Sequence, residues 1–361
     1  MKILHVIYGL PMAGAEKLIV DFAPKLTALG HEVDVFIFDG VETPFYHALK
    51  DSGIRIMKSG KGHLFFYDIR NVFNLMKVVR KYDVIHTHTT PAQLFVAMAT
   101  MLSGARAKLV TTEHSTNNHR RGKWYFKILD RWMYNRYQHI ICISETAKTN
   151  LEKQIGKKSN ISVIENGIDV EYFHQAKPVS RDSLGCKDSD FVLTMVARFC
   201  DAKDQNTIIR ALKHLSDDCK LVLVGSGDLQ QDCENVAAEE HVQDRVRFVG
   251  IRKDVPAVLH ASDVILMSSH WEGLSLSSVE GMSVDKPFIA SDVEGLREVV
   301  GGAGILFKEG DHEQLAKEIM HLKQDKDYYN KIAAQCYERA QRYDISSLVK
   351  EYNSIYQNIT K

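Results

Sequence analysis

The 361-residue chain carries no net formal charge, because 46 Lys and Arg balance 46 Asp and Glu. Binding to nucleic acid through bulk positive charge has no support, and no nucleic-acid partner is expected. No apolar run reaches membrane-spanning length, and residues 1–7 read as a first strand, not a signal peptide. The six cysteines (Cys142, Cys186, Cys200, Cys219, Cys233, Cys336) include no C-x-x-C pair, which disfavours a zinc site or disulfide frame. They read as buried thiols of a reducing cytosol, so a cytoplasmic location is expected. The first strand-to-helix loop is not G-x-G-x-x-G, which disfavours a nicotinamide dinucleotide. What remains is an ordinary globular composition, 45% hydrophobic and 25% charged, in a chain long enough for two domains.

Strand-like runs alternate with amphipathic helical stretches from the start, the pattern of parallel α/β architecture. One series of strands is expected at 2–8, 32–38, 84–88, 108–112, 140–144 and 162–164. A second is expected at 191–196, 220–225, 246–249, 264–267 and 287–290. Two doubly wound sets in succession predict two Rossmann-like lobes with a cleft between them. The join falls near Asn166-Gly167, a turn signal followed by a polar stretch. The expected division is 1–173 for the first lobe, with a returning C-terminal helix at 342–361, and 174–341 for the second. Leu348, Tyr352, Ile355, Tyr356 and Ile359 recur at helical spacing in that last segment.

The most informative stretch follows the apolar run Val264-Ile265-Leu266-Met267. A loop with Glu272 and Gly273 comes next, and Ser275, Ser277 and Ser278 are candidate N-caps for a helix through Glu280. A strand, a Gly-containing loop and a helix start present free N–H groups and a positive dipole end, which suit phosphate. Two carboxylates flanking such a site cannot bind phosphate themselves. They can accept hydrogen bonds from the hydroxyls of ribose and hexose rings. A nucleotide sugar carries both rings, one on each side of a diphosphate.

Glu272 and Glu280, with seven residues between them, resemble the E-x₇-E motif of the retaining glycosyltransferases of family 4. The likeness continues through Lys286-Pro287-Phe288-Ile289-Ala290-Ser291-Asp292-Val293-Glu294-Gly295-Leu296-Arg297-Glu298 and reappears at Asn166-Gly167-Ile168-Asp169. It implies a GT-B fold and metal-independent transfer with retention, from a nucleotide sugar to a glycan or lipid-linked hydroxyl. No cofactor is expected beyond the donor, for which a UDP-sugar is favoured. The stretch from Val196 to Asp204 is similar to the family's G-R-…-K loop. Arg198 offers a planar fork of donors and Lys203 a mobile charge, a pair suited to clamping a diphosphate. Gly225 and Gly227 resemble a loop near the nucleotide, but a plain βα turn explains them equally well. Main-chain groups after Gly250, at Ile251, are placed near the base. Leu274, Ser275 and Leu276 complete the donor loop with Gly273.

In the first lobe, Gly9-Leu10-Pro11-Met12-Ala13-Gly14-Ala15-Glu16 is similar to the family's Gly-Gly-Ala-Glu entry, with Ala13 replacing the first glycine. Gly14 would let backbone approach donor or acceptor. His114 ends a strand and corresponds to a family histidine near the transferred sugar. It is expected to hydrogen-bond the sugar or the β-phosphate and not to act as a nucleophile. His86 and His88, at strand spacing, imitate a metal pair, but no third ligand with metal spacing is evident and no metal is expected. Two rival functions share this architecture: a nucleotide-sugar epimerase and a non-catalytic nucleotide-sugar binding protein.

Residues 119–136 admit two readings. Trp124, Tyr125, Ile128, Leu129, Trp132 and Met133 form an apolar stripe, while Arg120, Arg121, Lys123, Lys127, Arg131 and Arg136 make the segment basic. The plainer and preferred reading is a core helix with solvated cations. The sharper one rests the segment on an anionic membrane, at the inner face of the plasma membrane, to meet a lipid-linked acceptor.

Overall fold

The computed structural model describes residues 1–11, 13–60, 68–114 and 123–361. Two compact units emerge, one of Met1–Gly167 with Ile345–Lys361 and one of Ile168–Asp344.

The first unit contains β1 (Lys2–Ile7), β2 (Glu32–Ile37), β3 (Arg55–Lys58), β4 (Val84–His88), β5 (Lys108–Glu113), β6 (His139–Cys142) and β7 (Ile161–Val163). They form one parallel sheet in the order β3-β2-β1-β4-β5-β6-β7. Successive side chains alternate between its faces. Leu4, Val6, Phe36 and Phe38 pack on one side with Phe95 and Val96 of the helix Ala92–Ser103. Ile3, Ile7, Val35 and Ile37 pack on the other with Ile19 and Phe22 of the helix Gly14–Ala28. The C-terminal helix Ile345–Thr360 belongs to this second face, burying Ile345, Leu348, Val349, Tyr352 and Tyr356. Its two tyrosine hydroxyls reach polar partners under the sheet, at His86 and Thr112.

The second unit holds β8 (Phe191–Val196), β9 (Cys219–Val224), β10 (Val246–Gly250), β11 (Val264–Met267), β12 (Phe288–Ser291) and β13 (Ile305–Phe307). The parallel order is β10-β9-β8-β11-β12-β13. Both faces are covered, so the strands read as continuous apolar runs; all four residues of β11 are buried. The expected strands are therefore present in two doubly wound sets. β3 and β13 were not expected. Both are short edge strands, where a half-covered run gives little periodic signal.

All six cysteines are free thiols, five of them buried. Among the described residues no helix is long and apolar enough to cross a membrane.

Candidate active site

In the second unit the strand order brings two distant loops together. β8 and β11 are neighbours, so the loop after each leaves the same end of the sheet. The two loops then join: Asp204 N–H donates to Ser268 C=O at 2.9 Å, and His270 N–H donates to Ala202 C=O at 3.0 Å. An isolated antiparallel bridge pairs Lys203 with Ser269. Asp204 fixes the exit, capping the helix Gln205–Ala211 through the Thr207 N–H at 3.1 Å and accepting from the Ser268 hydroxyl at 3.2 Å.

This zipper places the Lys203 ammonium on the Glu272 carboxylate, across 69 residues of sequence. Ser269 Oγ adds a 3.4 Å contact to the same oxygen. Both side chains are largely covered, at 15% and 17% exposure, so the pair is much less screened than a surface ion pair. Sequence reasoning assigned Lys203 to a diphosphate and Glu272 to a sugar. The structure adds that the two side chains hold each other.

Arg198 behaves differently. It is exposed, and its guanidinium takes no partner among the described residues; only its carbonyl is engaged, by Gln205 Nε2 at 3.0 Å. The loop that carries it is fixed by the glycines after β9. A Cβ on Gly225 would sit 2.0 Å from the Ala197 carbonyl oxygen, and one on Gly227 would sit 2.1 Å from that of Phe199. These two glycines are thus required by close approach to the chain's own backbone, which favours the turn reading over direct contact with a nucleotide. They act on Arg198 by clamping the residues on either side of it. Ile251 follows β10 and is 71% exposed, free to cover a planar group.

Glu280 lies in the helix Leu276–Met282, half-buried. Ser275 is the N-cap, yet its side chain bonds no helix N–H; it accepts instead from the Ser278 hydroxyl at 2.8 Å. The helix has only seven residues, so its dipole is a smaller contribution than the cations beside it. Leu274 and Leu276 are half-buried, while Gly273 is exposed with open space where a Cβ would project.

Two positioning residues escaped the sequence reading although both lie in the quoted motif. Ser291 ends β12; its hydroxyl donates to the Ser269 carbonyl and accepts from the Ser269 N–H, both at 2.9 Å. Gly295 starts a helix directly beneath the loop, where a Cβ would stand 2.0 Å from the Gly273 carbonyl oxygen and 2.6 Å from that of Glu272. Backbone cannot yield as a side-chain tip can. Gly295→Ala should therefore displace Glu272, lowering kcat by roughly tenfold to a hundredfold, as ångström-scale misplacement does. The cost in stability should stay near 1–3 kcal/mol, as for other overpacked sites. A variant with unaltered kcat and an ordinary melting curve would show that the loop is not held there.

In the first unit, Gly14 opens the helix Gly14–Ala28, exposed and with nothing within 4 Å of its Cβ direction. Met12 of the same loop lies outside the described residues. His114 follows β5 and is half-buried; burial pushes its imidazole down to about 4, so it is neutral at pH 7. The preceding Glu113 is buried and accepts from Tyr134 and Gln93, which fits a structural role. His86 and His88 do meet a third imidazole, His5 of β1, with ligand atoms within 4.8 Å of one another. Parallel pairing sets His5 directly beside His86, a proximity no linear spacing could reveal. Both nitrogens of His86 are already engaged, at 2.6 Å from the Tyr356 hydroxyl and 2.8 Å from Thr112 Oγ1. It is a satisfied core histidine.

The helix Trp124–Tyr134 corrects the preferred core-helix reading. Met133 is buried and Leu129 and Trp132 are half-buried, but Trp124, Tyr125 and Ile128 face solvent, Trp124 at 74% and Ile128 at 64% exposure. Lys123, Lys127 and Arg131 are exposed beside them. Arg120 and Arg121 lie outside the described residues.

The geometry can be set against known proteins. The family described as Glycosyltransferase Family 4 matches residues 12–172, and that described as Glycosyl transferases group 1 matches residues 176–342. The chain is a group 1, family 4 glycosyltransferase. Among relatives, the glycosyltransferase is 28% identical over 277 residues to the Escherichia coli UDP-Gal:alpha-D-GlcNAc-diphosphoundecaprenol alpha-1,3-galactosyltransferase, covering 72% of this chain and 71% of that one. It is 24% identical to N-acetyl-alpha-D-glucosaminyl L-malate synthase of Bacillus anthracis, over 82% of this chain and 80% of the relative. Its fold matches that of Anabaena HepE, solved in complex with UDP, with a TM-score of 0.81 at 23% identity, covering 99% of this chain and all of the other. The two parallel-sheet lobes of this glycosyltransferase are thus those of the GT-B fold.

Proposed function

We propose that this glycosyltransferase moves a hexose or N-acetylhexosamine from a UDP-sugar to a glycan or lipid-linked hydroxyl, with retention, in the synthesis of a cell-surface polysaccharide. The observation that carries this reading is the Lys203–Glu272 pair, whose lysine lies on a loop that also carries the exposed Arg198. A UDP diphosphate is a better partner for Lys203 than one carboxylate, because it carries more charge. Its arrival releases Glu272, whose oxygens then accept from sugar hydroxyls. As the bond from the anomeric carbon to the phosphate oxygen lengthens, charge gathers on the departing UDP. Arg198 and Lys203 stabilise that charge more strongly in the transition state than in the ground state. The acceptor hydroxyl attacks from the face that UDP leaves, and a phosphate oxygen takes its proton. The two cations supply the charge that Mg²⁺ would otherwise bring, so turnover should persist in EDTA.

The choice of UDP draws on the UDP-Gal donor in the name of the Escherichia coli relative and on the UDP held by HepE. Glu280 is assigned to the ribose, Ile251 to the base, and Gly273, Leu274, Ser275 and Leu276 to the phosphates and sugar. Gly14 and His114 are assigned to the substrates from the first unit. Titration with UDP tests the nucleotide half directly. Glu280→Gln should weaken UDP by roughly 1.5–3 kcal/mol, the worth of a charge-assisted hydrogen bond. An unchanged Kd would remove Glu280 from the ribose.

The exposed aromatic face supports a peripheral site of work at the inner face of the plasma membrane. Trp124 and Ile128 offer apolar side chains to the headgroup boundary, and each neighbouring Lys or Arg adds about 1 kcal/mol near anionic lipid. Co-sedimentation with phosphatidylglycerol vesicles should be strong at low salt and lost in the variant Trp124→Ser, Ile128→Ser, Lys123→Glu, Lys127→Glu. Equal binding to neutral vesicles, or by that variant, would refute the docking face.

A further inference from the structure

The histidines of the first unit form a chain that reaches from its core to His114. His5 Nδ1 lies 3.0 Å from His88 Nε2, and His88 Nδ1 lies 3.0 Å from His114 Nε2. His5 and His88 are completely enclosed, and the outer nitrogen at each end, His5 Nε2 and His114 Nδ1, is buried and has no partner among the described residues. Burial drives the basicity of all three rings well down, to about 3 for His5 and about 4 for His114, so each carries one N–H at neutral pH.

Counting protons leaves two states. Three neutral rings hold three protons, and each of the two N···N contacts needs one. The third must sit at an end of the chain. If it sits on His5 Nε2, His88 Nε2–H donates to His5 and His114 Nε2–H donates to His88, leaving His114 Nδ1 bare. If it sits on His114 Nδ1, every donor in the chain reverses. The two ends are not equivalent. His5 lies in the core with the ring of Phe22 against it at 5.7 Å, where an N–H has no acceptor. Orphaned buried N–H groups are rarer than under-satisfied acceptors. His114 follows β5 and is only half-buried as a residue; its Nδ1 is covered as well, but a substrate oxygen reaching that edge would give it an acceptor, which the core around His5 cannot.

We propose that His88, seated on His5, is a positioning residue that holds His114 in the tautomer protonated on Nδ1, so that His114 faces its substrate as a neutral hydrogen-bond donor. This rests on the assignment of His114 to the substrates. His114 then recognises an oxygen acceptor, such as a phosphate or ring oxygen, and takes no proton from a hydroxyl. The side-chain amide of Asn places a donor near the position of imidazole Nδ1, whereas Leu offers none. His88→Asn should therefore keep the tautomer and His88→Leu should lose it.

The test uses the whole chain labelled with ¹⁵N-histidine, its His114 signals identified by their loss in His114→Gln. Two-bond ¹H–¹⁵N correlation in the UDP-bound wild-type protein should show His114 protonated on Nδ1. A dominant Nε2–H form would overturn the proposal without any variant being needed. His88→Leu should abolish the Nδ1–H signature and lower kcat at least tenfold with KM for the donor changed less than threefold, while His88→Asn restores both. A loss of activity in His88→Leu that His88→Asn shares, with the Nδ1–H signature intact in both, would mean that His88 acts through packing alone, which also overturns it. The substrate assignment fails separately. Signals of His114 that ignore both UDP and the UDP-sugar would remove it from the site, even with its tautomer as stated.

Discussion

Ending the chain after Asp344 should leave the first unit unable to fold, although the deleted residues lie at the far end of the sequence. The helix Ile345–Thr360 covers one face of the seven-stranded sheet with Ile345, Leu348, Val349, Tyr352 and Tyr356, none more than 4% exposed. At roughly 1.5–3 kcal/mol for each large apolar side chain, its removal withdraws on the order of 10 kcal/mol of burial. Ordering sixteen residues offsets part of that, but the loss still compares with the whole stability of a typical domain. It also uncovers His86 and Thr112, which lose their tyrosine partners. The truncated chain should aggregate, with rapid hydrogen exchange through β1 and β4 and slow exchange kept in β8 and β11. Tyr356→Phe separates the two contributions. It keeps the ring and removes the hydroxyl, at a cost of about 1–3 kcal/mol for the unsatisfied His86 nitrogen. Protection of β1 unchanged by truncation would show that the helix is an accessory.

Glu272→Gln should lower kcat by roughly a hundredfold to a thousandfold while UDP binds as tightly as before, or more tightly. The direction for UDP follows from the ion pair. Glu272 holds Lys203, and in the proposed reaction a diphosphate takes the cation from it. Removing the carboxylate's charge frees Lys203 in advance, whereas the sugar loses its acceptor. Lys203→Met should be worse for stability than the double change. Alone it strands a mostly covered carboxylate, at a cost of about 2–3 kcal/mol, below the figure for a fully buried pair. With Glu272→Gln added, most of that cost should disappear. A double-mutant cycle in urea measures the coupling, and a value near zero would dissolve the pair. A fall in UDP affinity with Glu272→Gln would instead place this glutamate on the nucleotide.

The two lobes and most of the loop around Glu272 were legible in the sequence because they rest on local signals. Buried parallel strands tend to apolar runs, so β8, interrupted only by Thr194, and β11, which is wholly apolar, could be bounded to the residue. The spacing of Glu272 and Glu280, and of Leu348, Tyr352 and Tyr356, is likewise written along one segment. Sequence alone therefore determined two doubly wound sheets and the family resemblance, from which the donor residues of the proposed reaction are assigned. Tertiary structure decided which of those residues touch. Lys203 and Glu272 join only because β8 and β11 are neighbours in a sheet whose order differs from chain order. His5 meets His86 and His88 only through the pairing of β1 with β4. Gly225, Gly227 and Gly295 look like flexible loop residues until folding sets foreign backbone carbonyls where a Cβ would stand. The helix at 124–134 has the periodicity of a buried stripe, yet periodicity records only that one face is apolar. Whether that face meets a core or open solvent depends on what the rest of the chain leaves uncovered, and here it leaves Trp124 and Ile128 exposed.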